Sequence, residues 1–194
     1  MKKIKLNQYI KTDDEYLILL GNGTEHRFPS KAKALRFLSK TSRFLTDRLY
    51  EYNSLFAELH YLYRLNWGFF DHDKKTLSGA TIHMDMLIRK EFTTISNVDG
   101  LFDKVVKLSK RSGGNYYAFN HLRMIGDSLK GCCKSLLEIN RKKSYAPVTY
   151  QLECLFNRLL EIETRINNYG QMKAVGHFET VHTPALNNLQ IMTK

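Results

Sequence analysis

From Ser30 to Trp67, Leu35, Leu38, Ser42, Leu45, Leu49, Tyr52, Phe56, Leu59 and Tyr63 recur alternately three and four residues apart. That spacing gathers them on one side of an α-helix. Pro29 and Ser30 provide a start signal, and about 36 residues at 1.5 Å each predict a rod of about 54 Å. A helix with an apolar stripe this long needs cover from other elements or from a partner.

Two further stretches carry the same alternation. One runs through Phe119, Leu122, Ile125, Leu129, Cys132, Leu136 and Ile139, from Asn115 to the basic run Arg141-Lys142-Lys143. The other runs through Val148, Leu152, Leu155, Leu159, Ile162, Ile166 and Tyr169, with Pro147 suited to a first helical position and Gly170 to a C-terminal cap. Between the long helix and these two, Trp67 to Lys75 reads as a loop. A helix from about Leu77 or Gly79 to Ile95 aligns Met84, Leu87, Ile88, Phe92 and Ile95, and a short one passes through Leu101, Phe102, Val105, Val106 and Leu108 before Gly113-Gly114. The chain is therefore expected to be mainly α, a bundle of about five helices packed at shallow angles on the long one.

The N-terminal segment has a different period. Ile4 and Leu6 alternate with polar neighbours, Tyr16 to Leu20 is a short apolar run, and Thr12-Asp13-Asp14-Glu15 and Gly21-Asn22-Gly23-Thr24 are turn signals. These predict a small antiparallel β-meander of three strands ending at Phe28, covered by Ala34, Leu35 and Leu38 of the helix that follows. The expected organisation is a single domain: the meander over 1–29, the bundle over 30–170 and an extended segment over 171–194. Strands followed by a helix that opens Phe28-Pro29-Ser30-Lys31-Ala32-Lys33-Ala34 are similar in outline to the small arm-type DNA-binding domains of phage integrases. The likeness covers residues 3 to 45. His121-Leu122-Arg123 matches part of a recombinase box, but no second arginine and nucleophilic tyrosine follow in a suitable context, and the chain is assigned to no family on this resemblance.

Charge adds a partner class. The net charge is +11, and it is concentrated in two blocks: residues 1–50 carry 11 basic against 5 acidic residues, and residues 101–150 carry 10 against 3. Such a field attracts nucleic acid, anionic membrane or acidic protein. No stretch approaches the roughly 18 to 20 apolar residues of a membrane span, and the first residues lack the apolar core of a signal peptide, so a cytoplasmic protein is expected. The three cysteines, Cys132, Cys133 and Cys154, lack the pairing of a disulfide framework and the spacing of a zinc site, and read as buried thiols on helices.

The sharpest candidate site is Lys31, Lys33, Arg36, Lys40 and Arg43 at the start of the long helix. Cations there oppose the helix dipole at about 0.3 to 1 kcal/mol each in the first turn. Lys33, Arg36, Lys40 and Arg43 are spaced to form a row opposite the apolar seam and to track a phosphate backbone. Lys104, Lys107, Lys110 and Arg111 form a second candidate cluster, with Lys130, Lys134, Arg141, Lys142 and Lys143 beyond it. Against this stands the ordinary explanation that outer helix faces are charged and solvated.

Tyr61, Tyr63, Trp67, Phe69 and Phe70 crowd the far end of the long helix, where core packing or a protein-interaction patch accounts for them. Asp71, His72 and Asp73, His83 with Asp85, and His177, Glu179 and His182 match no established ligand spacing. No nucleophile has a base positioned by motif. No catalytic residue, metal or cofactor is therefore expected. The sequence points to a non-enzymatic binding module contacting nucleic acid or another polyanion. The alternative is a structural or assembly subunit, self-associating or built into a larger complex such as a phage particle, in which case it would reside in the virion.

Overall fold

A computed structural model describes residues 4, 6, 8–69, 105, 107, 114–143 and 146–171. In order, the chain forms β1 (Ile10–Lys11), β2 (Tyr16–Leu19), β3 (Glu25–Phe28), α1 (Lys31–Phe69), α2 (Gly114–Lys143) and α3 (Ala146–Asn168). The fold is mainly helical, with three helices among the described residues and one antiparallel sheet of order β1-β2-β3. The helix expected over 77–95 and the segment after Gln171 lie outside the described residues; of the helix expected through Leu101 to Leu108 only Val105 and Lys107 are described, both helical, with Val105 buried.

α1 is a single helix of 39 residues, or about 58 Å of rise. It runs through Gly68, where the pattern predicted a loop. Gly68 lies in the last turn of α1, and even inside a helix a glycine costs only about 1 kcal/mol, which the preceding turns outweigh. Ser30 starts it: its Oγ accepts the Lys33 amide at 3.4 Å and its carbonyl the Ala34 amide at 3.1 Å. α2 and α3 pack on each other along most of their length, and both pack on α1. The seams meet there: Leu45, Leu49, Phe56 and Leu59 of α1, Phe119, Leu122, Ile125, Leu129 and Leu136 of α2, and Leu152, Leu155, Leu159 and Ile166 of α3 are fully buried. Each such side chain contributes about 1.5 to 3 kcal/mol by leaving water.

The sheet covers the N-terminal part of α1 and shifts the burial phase there. Ala34 and Leu38 are buried, whereas Leu35, expected in the seam, is 41% exposed. A residue turns about 100° from its neighbour on a helix, so a sheet seated over Ala34 leaves Leu35 outside. Ile4 and Leu6 also depart from expectation. They are buried but lie outside the strands, and the Ile4 amide donates to Thr46 Oγ1 at 3.0 Å, fastening the segment to α1.

The β2–β3 connection has a three-residue loop. The Gly23 amide donates to the Leu20 carbonyl at 3.0 Å, the Leu20 amide to the Thr24 carbonyl at 2.9 Å, and Gly23 has φ of 87°. Gly21-Asn22 form the centre of the turn and Gly23 takes the left-handed position after it. This loop also closes the bundle. Asn22 Nδ2 lies 3.3, 3.2 and 2.6 Å from the carbonyls of Ile166, Asn167 and Tyr169 at the end of α3, where helix carbonyls run out of intrahelical partners. Gly170, with φ of 79°, completes that terminus. Tyr169 then stacks on Phe44 with ring centroids 4.0 Å apart, and its hydroxyl bonds to Thr41 Oγ1 at 3.1 Å.

Candidate nucleic-acid interface

The first sixteen residues of α1, Lys31 to Thr46, contain five cations and no carboxylate. Ala34, Leu38, Thr41, Ser42 and Leu45 are buried against the sheet and the other helices, which turns Lys33, Arg36, Lys40 and Arg43 outward. The four are exposed and fall within about 80° of the helix circumference, along about 15 Å of its axis. None makes an ion pair with a described residue. Lys31 is set apart from the row, with its Nζ 5.8 Å from the Tyr9 ring centroid.

Many other cations of the described structure are occupied. Arg27 holds Glu25 at 2.8 Å and Glu15 at 3.7 Å, and Arg48 holds Glu51 at 2.6 Å while lying over the Phe44 ring. Arg158 reaches Glu58 at 2.7 Å and Arg165 reaches Glu51 at 3.1 Å, joining α3 to α1. Lys130 binds both Glu163 and Asp127, at 2.7 and 3.0 Å. Burial alone would lower its pKa, but those two carboxylates outweigh burial and raise it. Arg141 pairs with Glu153 at 2.9 Å. Such pairs add little stability at a surface, but they cancel the local field. Over Lys33 to Arg43 no ion pair among the described residues cancels it.

Within the second basic block, Lys107, Lys134 and Lys142 are exposed. Lys104, Lys110 and Arg111 lie outside the described residues, as do Asp71, His72, Asp73, His83, Asp85, His177, Glu179 and His182. Among the described residues, no three His, Cys, Asp or Glu side chains gather as a metal site would need, and no helix is long and apolar enough to cross a membrane. At the far end of α1, Tyr61 is 61% exposed and Tyr63 is half-buried against the core. Trp67 and Phe69 belong to the helix but their side chains, like all of Phe70, lie outside the description.

An apolar groove had no sequence signal. Tyr9, Ile10, Leu17 and Leu19 of the sheet region and Tyr116 of α2 line a cavity of about 550 Å³. Ile10, Leu19 and Tyr116 on its walls are each more than half exposed. Cys132 and Cys133 are buried as expected, with Cys133 Sγ donating to the Leu152 carbonyl at 3.3 Å, while Cys154 is exposed. The period of α3 places Cys154 between the seam residues Leu152 and Leu155, on the outer side. The chain matches no known protein family, no curated protein and no solved structure, so its function is argued from the chemistry of this surface.

Proposed function

We propose that the protein is a non-enzymatic nucleic-acid-binding module whose contact surface is the outer face of the first half of α1. One observation carries this reading: Lys33, Arg36, Lys40 and Arg43 stand in a row on a carboxylate-free stretch, exposed and without an ion-pair partner among the described residues. Cations at the start of a helix oppose its dipole, and α1 has no acidic residue in its first turn to relieve them. A polyanion relieves both costs. Four contacted phosphates release counterions, so log affinity for duplex DNA falls with log salt at a slope of about −3.6, or about 100-fold between 50 and 200 mM.

The test is a titration of duplex and single-stranded DNA and RNA at those two salt concentrations, with the wild type and with Lys33, Arg36, Lys40 and Arg43 all changed to Glu. Wild-type binding with that salt dependence, abolished in the variant, supports the reading. No binding at low salt, or equal binding by the variant, removes it. Binding of an acidic protein in place of nucleic acid transfers the surface to the polyanion alternative.

A second reading, an adaptor or assembly subunit, is favoured by the apolar groove beside β1 and β2 and by exposed Tyr61. Sedimentation at micromolar concentration tests self-association, and a strictly monomeric particle counts against it.

A further inference from the structure

Resting on the proposal that this face binds nucleic acid, we infer that the ligand is B-form duplex DNA and that the first three turns of α1 lie in its major groove. Phosphate binding alone asks only for cations. The exposed arc of these turns carries more: Ala32, Lys33, Leu35, Arg36, Ser39, Lys40 and Arg43 are all exposed, and at 100° per residue they cover about 160° of the circumference.

The arc is chemically sorted. Lys33 and Lys40 lie along one rim, Arg36 and Arg43 near the middle, and Ala32, Ser39 and Leu35 along the other side. The small side chains of Ala32 and Ser39 let a helix backbone approach a surface closely. Leu35 offers an apolar contact at a position 41% exposed to water. This order suits a groove. The rim lysines meet the phosphates of one strand, the central arginines reach the paired acceptors O6 and N7 of guanine, and the apolar side meets thymine methyls.

The major groove of B-form DNA, about 12 Å wide, admits a helix, whereas the A-form groove of duplex RNA is too deep and narrow for side chains to read. Twelve residues, Ala32 to Arg43, rise about 18 Å, the length of about five base pairs. Few carboxylates stand near the arc. Glu15 and Glu25 are taken by Arg27, and Asp47, the first acid of α1, is half-buried one turn beyond Arg43.

The experiment is selection from a randomised duplex DNA library with the full chain, followed by dimethyl sulfate probing of guanine N7 on the selected duplex. An enriched site of about four to six base pairs with a protected guanine supports the inference. So does Arg36→Ala if it lowers affinity for that site on the order of 10- to 100-fold and relaxes the guanine preference, while Lys33→Ala weakens all duplexes alike. Salt-dependent binding without enrichment or N7 protection overturns the inference and leaves the broader reading standing. So does equal competition by duplex RNA, or a preference for single strands. Failure to bind any nucleic acid at low salt removes both.

Discussion

Replacing Asn22 tests how the sheet is locked to the bundle. Its amide nitrogen has two hydrogens for three carbonyls of the α3 terminus, so two bonds form at a time, and its Oδ1 accepts the Thr24 hydroxyl at 2.9 Å and amide at 3.3 Å. Each bond contributes about 0.5 to 1.5 kcal/mol net, and water recovers part of the loss at this half-exposed site, so Asn22→Ala is expected to cost about 2 kcal/mol. With a urea dependence of about 2 kcal/mol per molar, the unfolding midpoint falls by about 1 M with an unchanged slope. Asn22→Asp supplies the sign. It keeps both Thr24 contacts but points a carboxylate at three carbonyl oxygens and at the negative end of α3, so at pH 7 it falls below the alanine variant by about 0.3 to 1 kcal/mol. Acid restores part of that loss as the new carboxyl takes up a proton and donates. A midpoint shift under about 0.2 M for Asn22→Ala, or an aspartate variant as stable as wild type at pH 7, refutes the account of the lock.

Three further outcomes are expected. In Gly126→Ala the new Cβ would lie 2.5 Å from the Tyr52 hydroxyl, on a fully buried ring with little room to retreat, so the variant loses about 1 to 3 kcal/mol in thermal or urea unfolding. His26 sits among the rings of Phe28 and Phe37 beside Gly170, its Nε2 buried without a partner, and burial holds its pKa below the ordinary 6.5. The unfolded chain then takes up the proton first, so this contribution to stability is complete above pH 6.5 and declines as pH falls toward the folded value. His60 is lowered too, by burial and Arg64, so the measurement is wild type against His26→Gln from pH 7.5 to 5.5, and equal slopes refute it. A maleimide is expected to label Cys154 in the native protein and to spare Cys132 and Cys133, since burial pushes the Cys133 thiol up to about 12 and raises that of Cys132 as well. Mass spectrometry before and after denaturation counts the adducts.

The parts of the fold legible in the sequence are those in which one element faces one neighbour layer throughout. α3 is such a case: Val148, Leu152, Leu155, Leu159, Ile162 and Ile166, read from spacing, are the residues it buries. α1 has two kinds of neighbour, helices along its middle and the sheet at its start. Spacing carries no sign of that change of cover, which is why it puts Leu35 in the seam; of Ala34, Leu35 and Leu38, all expected under the sheet, Ala34 and Leu38 are buried and Leu35 is not. The hairpin was visible in Asn22-Gly23. The role of Asn22 at the end of α3 was not, because its acceptors lie more than 140 residues along the chain. The groove has the same origin, since Ile10, Leu19 and Tyr116 meet only once α2 is folded against the sheet.

The candidate site divides along the same line. That Lys31 to Thr46 holds cations and no carboxylate is plain in the sequence, and a helical period turns four of them to one side. Whether a cation is free is a property of the fold. By spacing alone Arg158 and Arg165 of α3 are as exposed a pair as Arg36 and Arg43, yet they reach Glu58 and Glu51 on α1 across 100 and 114 residues. Lys130 and Arg141 are likewise neutralised by Glu163 and Glu153 of the neighbouring helix. The acidic residues of α1 begin at Asp47, and two of them, Glu51 and Glu58, meet arginines of α3. The first half of α1 meets Phe28, His26 and Tyr169 instead, through Phe37 and Phe44. An aromatic contact buries area without neutralising charge, so the basic row beside it remains available to an anion from outside the chain.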